Sequence, residues 1–365
     1  MSCISLYFDN EINTKYYEEL NKGFEILFEL KELSKIQGIP FLKLSKQILN
    51  LKTNAKKVLS IDNFVRECEF KEKTKYLTNT FLENFDAVRV EDLGLAYFIK
   101  EKFPSVKIQI ILENFCHNIN AIKEIKKVFG TSLQKIIISS ELEFNTIKEL
   151  INNKINIEVS LFSNILIFQT PRKLMPSSKF GTYFLNSKES SDHNNLRYIC
   201  DKHGSFIFYP ENFNILKDYE KLAEIGVKNF RIDFRFLKTD EKKEILNNLI
   251  LGTNPKDFKI ASSYNPIFFN TNDSDLLFKN LKKKSFTTLP NAEVIATLSG
   301  KYAVIYTYKD FDAKKEITYI TGDKTSLNAT LECFTINDKE ISNLEKNKIY
   351  YIKWLKRICV GSVIY

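Results

Sequence analysis

From residue 57 to residue 251 the chain alternates short β-branched runs with longer amphipathic stretches. The apolar runs lie at 57–61, 87–90, 106–112, 135–138, 155–162 and 230–234, and helical periodicity fills 93–103, 120–129, 144–152 and 240–251. Strands of this length separated by helices of about ten residues pair in parallel through right-handed crossovers. Around six to eight such units close, or nearly close, a TIM-like (β/α) barrel. The fold class is therefore α/β, with the barrel complete or incomplete. An open doubly wound sheet is the competing arrangement, but the glycine-rich loop that usually accompanies it is missing. Glycines are so dispersed that the closest pair, Gly23 and Gly38, lies 15 positions apart. That spacing excludes a G-x-G-x-x-G loop, a P-loop and a G-x-S-x-G nucleophile elbow.

Between 170 and 214 the rhythm breaks in a stretch rich in Ser, Asn and Lys, which reads as an irregular insertion. Beyond 284 the helical pattern stops. Apolar runs at 294–298, 302–308, 317–320, 329–335 and 349–354 follow one another with turn residues between them. This reads as a small all-β module, a barrel, over 285–365, behind a barrel-like domain over 1–284. A chain of 365 residues accommodates two such domains.

Lys and Arg number 54 against 45 Asp and Glu, so the net charge is +9. This excess permits an anionic partner such as RNA without requiring one. The densest patch is KNLKKK at 279–284, which makes Lys282, Lys283 and Lys284 the candidate nucleic-acid contacts; elsewhere the lysines read as solvated helix faces. The six cysteines, at 3, 68, 116, 200, 333 and 359, are scattered and read as reduced thiols. The N-terminus lacks a basic n-region, and no apolar run approaches the roughly 18 residues of a membrane span. A soluble, cytoplasmic protein with no membrane contact is expected.

Metal and nucleophile chemistry find little footing. Cys200 and His203 have half the spacing of a zinc site, and Cys116 with His117 adds two more donors. A tetrahedral site needs four converging ligands, and adjacent residues rarely share one ion. No metal is expected. With only His117, His193 and His203 available, no local pattern supports a triad; Cys116 beside a strand end is a candidate thiol, with a buried core role as the plainer reading.

In a parallel barrel, function gathers at the C-terminal ends of the strands. That rule selects Glu91, Asp92, Glu113, Asn114, Ser139, Ser140, Glu141, Asp233 and Arg235. Carboxylates there can act as bases or bind cationic groups. The plainer reading makes Ser140 and Glu141 helix caps, and Asp233 with Arg235 an inward salt bridge.

The order of these strings resembles the collagenase-like peptidase U32 family. DAVRVEDLG at 86–94 is followed by LENFCHNINA at 112–121, ISSEL at 138–142, IEVSLF at 157–162 and GVKNFRIDFR at 226–235. A Gly322-Asp323 turn and the C-terminal GSVIY resemble the small β-barrel that many members carry. The likeness runs from about residue 84 to the end and covers the first eighty residues poorly. It implies a barrel-like catalytic domain. Members bear the peptidase name, yet several hydroxylate tRNA or rRNA bases, or the ubiquinone ring, without oxygen. Those members hold an iron–sulfur cluster on four cysteines, mostly after an E-x-F-V-H-G strand.

This sequence departs from the family at that point. Ser163-Asn164 replace the H-G pair, Lys173 stands at a ligand cysteine, and Ser140 replaces the arginine of S-R-E-L. Of the later cysteines only Cys200 lies in the right region, and one thiol cannot hold a cluster in the family manner. No cofactor is therefore expected. Glu141, Glu158, Arg172, Asp233 and Arg235 are retained and are the expected substrate-binding set. The leading expectation is a divergent U32-like protein, either active without the cluster or serving as a partner subunit. The rivals are a non-catalytic RNA- or protein-binding module, and an unrelated barrel enzyme for a phosphorylated small molecule.

Overall fold

The computed structural model describes residues 2–36, 38–114, 116–185, 196–260, 288–321, 325–335 and 339–365. The chain divides into two compact units, Met1–Leu276 and Leu277–Tyr365. The expected boundary at 284/285 and Lys282, Lys283 and Lys284 lie outside the described residues.

The first unit is built on strands β1 (Cys3–Tyr7), β2 (Phe24–Glu29), β3 (Lys56–Ile61), β4 (Ala87–Val90), β5 (Ile108–Ile111), β6 (Leu133–Ile137) and β7 (Ile157–Thr170). An arm of β8 (Gly181–Leu185), β9 (Leu196–Asp201) and β10 (Gly204–Asn214) follows, and then β11 (Asn229–Ile232). Strands β1 to β7 pair in sequence, and β11 pairs in parallel with both β7 and β1. The ring is a closed eight-stranded parallel barrel, so the structure completes the incomplete alternative.

Helices α1 (Lys15–Glu18), α2 (Phe41–Asn50), α3 (Phe70–Thr74), α4 (Asn79–Leu82), α5 (Leu93–Lys102), α6 (Ile119–Phe129), α7 (Phe144–Asn152), α8 (Tyr219–Glu224) and α9 (Thr239–Ile250) join them. Asp92 accepts from the Leu95 amide and Asn118 from Asn120 and Ala121, so Asp92 is the cap of α5 and not a site residue.

Alternation within the strands decides what faces where. Ile4, Leu6, Phe24, Ile26, Phe28, Val88 and Val90 join Leu44, Ile48, Ile99 and Leu150 of the helices in one apolar layer. The alternate positions fill the lumen. Tyr7, Leu27, Val58 and Ala87 form a separate small apolar cluster there. Beside it Ser5, Glu25, Arg89, Gln109, Lys135 and Glu158 are all buried and joined by hydrogen bonds. Barrel lumens are more often packed with branched apolar side chains.

The segment 170–214, expected to be irregular, is regular in its described parts. The outer half of β7 pairs antiparallel with β10, β10 with β9 and β9 with β8. Tyr198, Ile199, Cys200, Phe206 and Phe208 are buried on this arm, in runs short enough to escape notice among the polar residues. Gly204 sits at φ +142 in the β9–β10 turn, where a Cβ would stand 2.2 Å from the Thr170 carbonyl oxygen.

The second unit is antiparallel. Strands β12 (Ala292–Leu298), β13 (Tyr302–Thr307), β14 (Phe311–Asp312), β15 (Ile317–Ile320), β16 (Ser326–Ala329), β17 (Cys333–Phe334), β18 (Glu340–Ile341), β19 (Asn343–Leu344), β20 (Ile349–Lys353) and β21 (Val363–Ile364) belong to it. Eight of them form one sheet in the order β16-β15-β21-β12-β13-β20-β17-β18, a half-barrel around Val294, Ile305, Tyr350 and Ile352.

Candidate functional site

At the C-terminal ends of the barrel strands lies a cleft of about 200 Å³. Its polar wall is made by strand-end residues whose side chains follow the inward alternation of the strands. Arg235 organises one side. Its Nε and Nη2 donate to Asp233 at 3.0 and 2.7 Å, and its Nη1 donates to Glu29 at 2.6 Å. Asp62 lies 3.8 Å from the same Nη1, and the guanidinium stacks 3.7 Å from the Tyr7 ring centroid. One cation thus serves three carboxylates.

Two further pairs complete the wall. Arg231, on β11, is clamped by Glu113, just beyond β5. Lys35, from the β2–α2 loop, pairs with Glu91, which also accepts from Asn114 at 3.2 Å. Glu141 stands at the rim, 2.9 Å from His117 Nε2. Apolar side chains also line the cleft, from Ile36 and from the outer part of β7 and the arm, through Ile165, Phe168 and Phe208. Lys35, Arg231 and Arg235 are all committed to carboxylates, while Asp62, Glu91, Glu113, Glu141 and Asp233 line the same space. The cleft is acidic, and offers acceptors.

Burial dominates the proton affinities. It pushes the Glu29 carboxyl up to about 8, aided by Asp62 and Asp233 and opposed by Arg235. Glu91 is raised for the same reason, with Lys35 opposing. Burial also works on Asp233, but there Arg235 prevails and holds it below the usual carboxylate range. A proton-holding carboxyl and an ionised one therefore flank the same guanidinium, an arrangement suited to acid–base work.

Of the five expected substrate-binding residues, Glu141, Asp233 and Arg235 converge on the cleft. Glu158 does not. It is the second residue of β7, far from the strand's C-terminal end, and its fully buried carboxylate is committed to Arg89, Lys135 and Ser5. Arg172 lies exposed in the turn beyond β7 and does not line the cleft. Sequence reasoning missed Tyr7, Glu29, Lys35 and Asp62, all from the first eighty residues. The run Phe24-Glu25-Ile26-Leu27-Phe28-Glu29 carries a strand signal with both glutamates on one face, and could have disclosed Glu29.

The cysteines do not fit a family-type cluster. Cys200 is buried with its Sγ accepting from Ser205 Oγ at 3.3 Å. His203 Nε2 bonds the Lys31 carbonyl oxygen at 2.9 Å, and Cys116 Sγ lies 3.8 Å from the Asn118 carbonyl oxygen. Among the described residues no three His, Cys, Asp or Glu side chains are grouped so as to hold a metal ion. None of the described helices is long and apolar enough to cross a membrane.

Comparison with known proteins gives one family. The model of peptidase family U32 matches residues 42–249. No curated protein matches the chain. Among solved structures, a GH30 endoxylanase from Clostridium papyrosolvens is similar at 10% identity, with 96% of each chain covered and a TM-score of 0.34. Orotidine 5'-monophosphate decarboxylase from Sulfolobus solfataricus is similar at 10% identity, covering 71% of this chain and all of that one, with a TM-score of 0.37. The C-terminal domain of a protein described as a U32 peptidase, from Geobacillus thermoleovorans, aligns over 20% of this chain and 95% of its own, at 9% identity and a TM-score of 0.19.

Proposed function

The chain belongs to peptidase family U32, and from that premise we propose that it binds a nucleobase at the barrel mouth and acts without an iron–sulfur cluster. The observation that supports this reading is the cleft's mixed lining. Phe168, Phe208 and Ile165 line it with apolar surface, and Glu91, Glu113, Asn114 and Glu141 bring acceptors to the same space. A heteroaromatic ring carrying N–H groups satisfies both at once. A phosphorylated reacting group does not suit the same space, because every cation there is already paired and the surplus is carboxylate. Family membership also removes the reading as a barrel enzyme unrelated to U32.

The chemistry open to such a site is proton transfer. Glu29 holds a proton near neutrality and Asp233 does not, with Arg235 between them. With Cys200 the one thiol in the region where the family holds its cluster, no step of this reading is routed through iron.

Titration calorimetry with the common nucleosides tests the reading, alongside Glu141→Gln and Asp233→Asn. Binding to the native protein, weakened about tenfold in each variant, is the expected result. Absence of nucleoside binding, or stoichiometric iron in anaerobically purified protein, overturns it.

A second reading, a non-catalytic RNA-binding module, draws on the outer face of the half-barrel. Tyr302 and Tyr351 meet edge to face at 5.4 Å there, with Lys353 paired opposite Tyr302. In that case Tyr302→Ala and Tyr351→Ala abolish RNA binding while Asp233→Asn leaves it intact.

A further inference from the structure

The loop after β2 serves two clefts. It is clasped at its base, where Leu30 bridges to Ile39 and Lys31 N donates to the Ile39 carbonyl oxygen at 3.0 Å. Lys35 from this loop reaches the cleft described above, while Lys31 and Ser34 line a second one of about 550 Å³. Ile36 lines both, and Glu29, which borders the second, binds Arg235 of the first. The two spaces are neighbours divided by Ile36 and the Glu29–Arg235 bond.

Most polar groups of the second cleft are already engaged. Lys242 pairs with Asp9 at 2.6 Å, Asp201 accepts from the His203 amide at 2.8 Å, and His203 Nε2 is taken by the Lys31 carbonyl. Of the donors left over, three stand out. The Lys31 and Lys202 ammoniums make no ion pair among the described residues. Ser34 Oγ, on a residue only 1% exposed, has no hydrogen-bond partner among the described residues. A buried hydroxyl left unpartnered is costly unless something fills the space beside it. The carboxylates of Glu11 and Asp201 line the same space without an ion pair among the described residues, Asp201 accepting only the His203 amide. Glu29, protonated near neutrality, adds little negative charge.

We propose that the second cleft is an anion subsite, in which Lys31, Lys202 and Ser34 hold the phosphate of a nucleotide whose base enters the first cleft. This rests on the nucleobase reading above. The phosphate belongs either to a free nucleotide or to an RNA strand, and the recognition chemistry is common to both.

Calorimetry on the full chain with a nucleoside, its 5'-monophosphate, inorganic phosphate and a short single-stranded RNA tests the proposal. The monophosphate is expected to bind about tenfold tighter than the nucleoside. Lys31→Ala with Lys202→Ala, and Ser34→Ala separately, should shrink that advantage and leave nucleoside binding unchanged. Tighter binding of the RNA than of the monophosphate identifies the strand as the source, and the reverse identifies the free nucleotide. Equal affinity for nucleoside and monophosphate, or an advantage that survives the lysine replacements, overturns the subsite. If nucleosides fail to bind while inorganic phosphate binds in a manner dependent on Lys31 and Lys202, the base reading falls and the anion subsite stands.

Discussion

Arg89 donates Nη1 and Nη2 to the two carboxylate oxygens of Glu158, at 2.8 and 2.7 Å, and neither side chain is exposed. The pair spans the lumen from β4 to β7. Lys135 closes the circuit by reaching both Glu158 and Glu25 at 2.6 Å, and Gln109 accepts from Arg89 Nε at 2.8 Å. Two cations and two carboxylates balance one another. Removing such groups from water is expensive, so the network supports the fold only while every member is present.

Glu158→Gln should therefore unfold the barrel more easily, by about 3–5 kcal/mol, because Arg89 and Lys135 are left facing Glu25 alone. Replacing both partners, Arg89→Met with Glu158→Leu, should cost less than either single change. Urea unfolding midpoints at neutral pH measure this. A Glu158→Gln protein of native stability that fails to bind nucleoside would return Glu158 to the ligand site.

Two families of carboxylates give the stability profile opposite slopes. Against the pull of burial, Lys135 and Arg89 hold Glu25 below the usual range, and Arg89 and Lys135 do the same for Glu158. A depressed native value means the stabilisation is present above the unfolded carboxylate range, about pH 4.3, and is lost as pH falls below it. Glu29 runs the other way. Raised from 4.5 to about 8, it binds more proton in the native state between those values, so its contribution is complete below 4.5 and lost as pH rises through 8. Unfolding free energies measured from pH 3 to 9 should fall at both ends. Glu29→Gln should flatten the decline between pH 5 and 8 and leave the acid limb unchanged.

What the sequence made legible follows where local signals are strong. The strands at 87–90, 317–320 and 229–232 and the helices between them announce themselves by period, so the barrel and its all-β neighbour could be read directly. Asp233 and Arg235 were accessible because a strand-end rule points at them. Glu158 misled because resemblance locates a residue in a strand without saying which end it occupies. Tyr7, Glu29 and Lys35 stayed hidden for a different reason: β1 and β2 are joined to their helices by irregular loops, and Lys35 reaches the site only because Gly38 lets its loop fold back on Lys31. Arg89 and Lys135 read as ordinary strand residues, since nothing local shows that their partners are 69 and 110 positions away.

Arg235→Lys separates charge from geometry. Lysine keeps the positive charge among Glu29, Asp62 and Asp233, but it loses the fork to Asp233 and the stack on Tyr7. The protein should fold with an unchanged circular dichroism spectrum and bind nucleoside about tenfold more weakly. Unaltered affinity would remove Arg235 as the organiser of the polar wall.

Gly38→Ala tests whether one loop governs both clefts. Gly38 sits at φ +134, and an added Cβ would stand 2.7 Å from both the N and Cα of Lys31, backbone atoms that cannot swing aside. The loop base must open, displacing Lys35 from Glu91 and moving Lys31 and Ser34 together. Strain of this kind costs about 1–3 kcal/mol, read as a lowered unfolding midpoint. Nucleoside binding and the additional affinity of the monophosphate should weaken in the same variant. Gly252→Ala is the control: it has φ +72 with nothing within 4 Å, so it should lose about 1–2 kcal/mol through backbone conformation alone. Its binding of both ligands should match the native protein. Loss of nucleoside binding in Gly38→Ala with the monophosphate increment retained would show that the two clefts are held by separate elements.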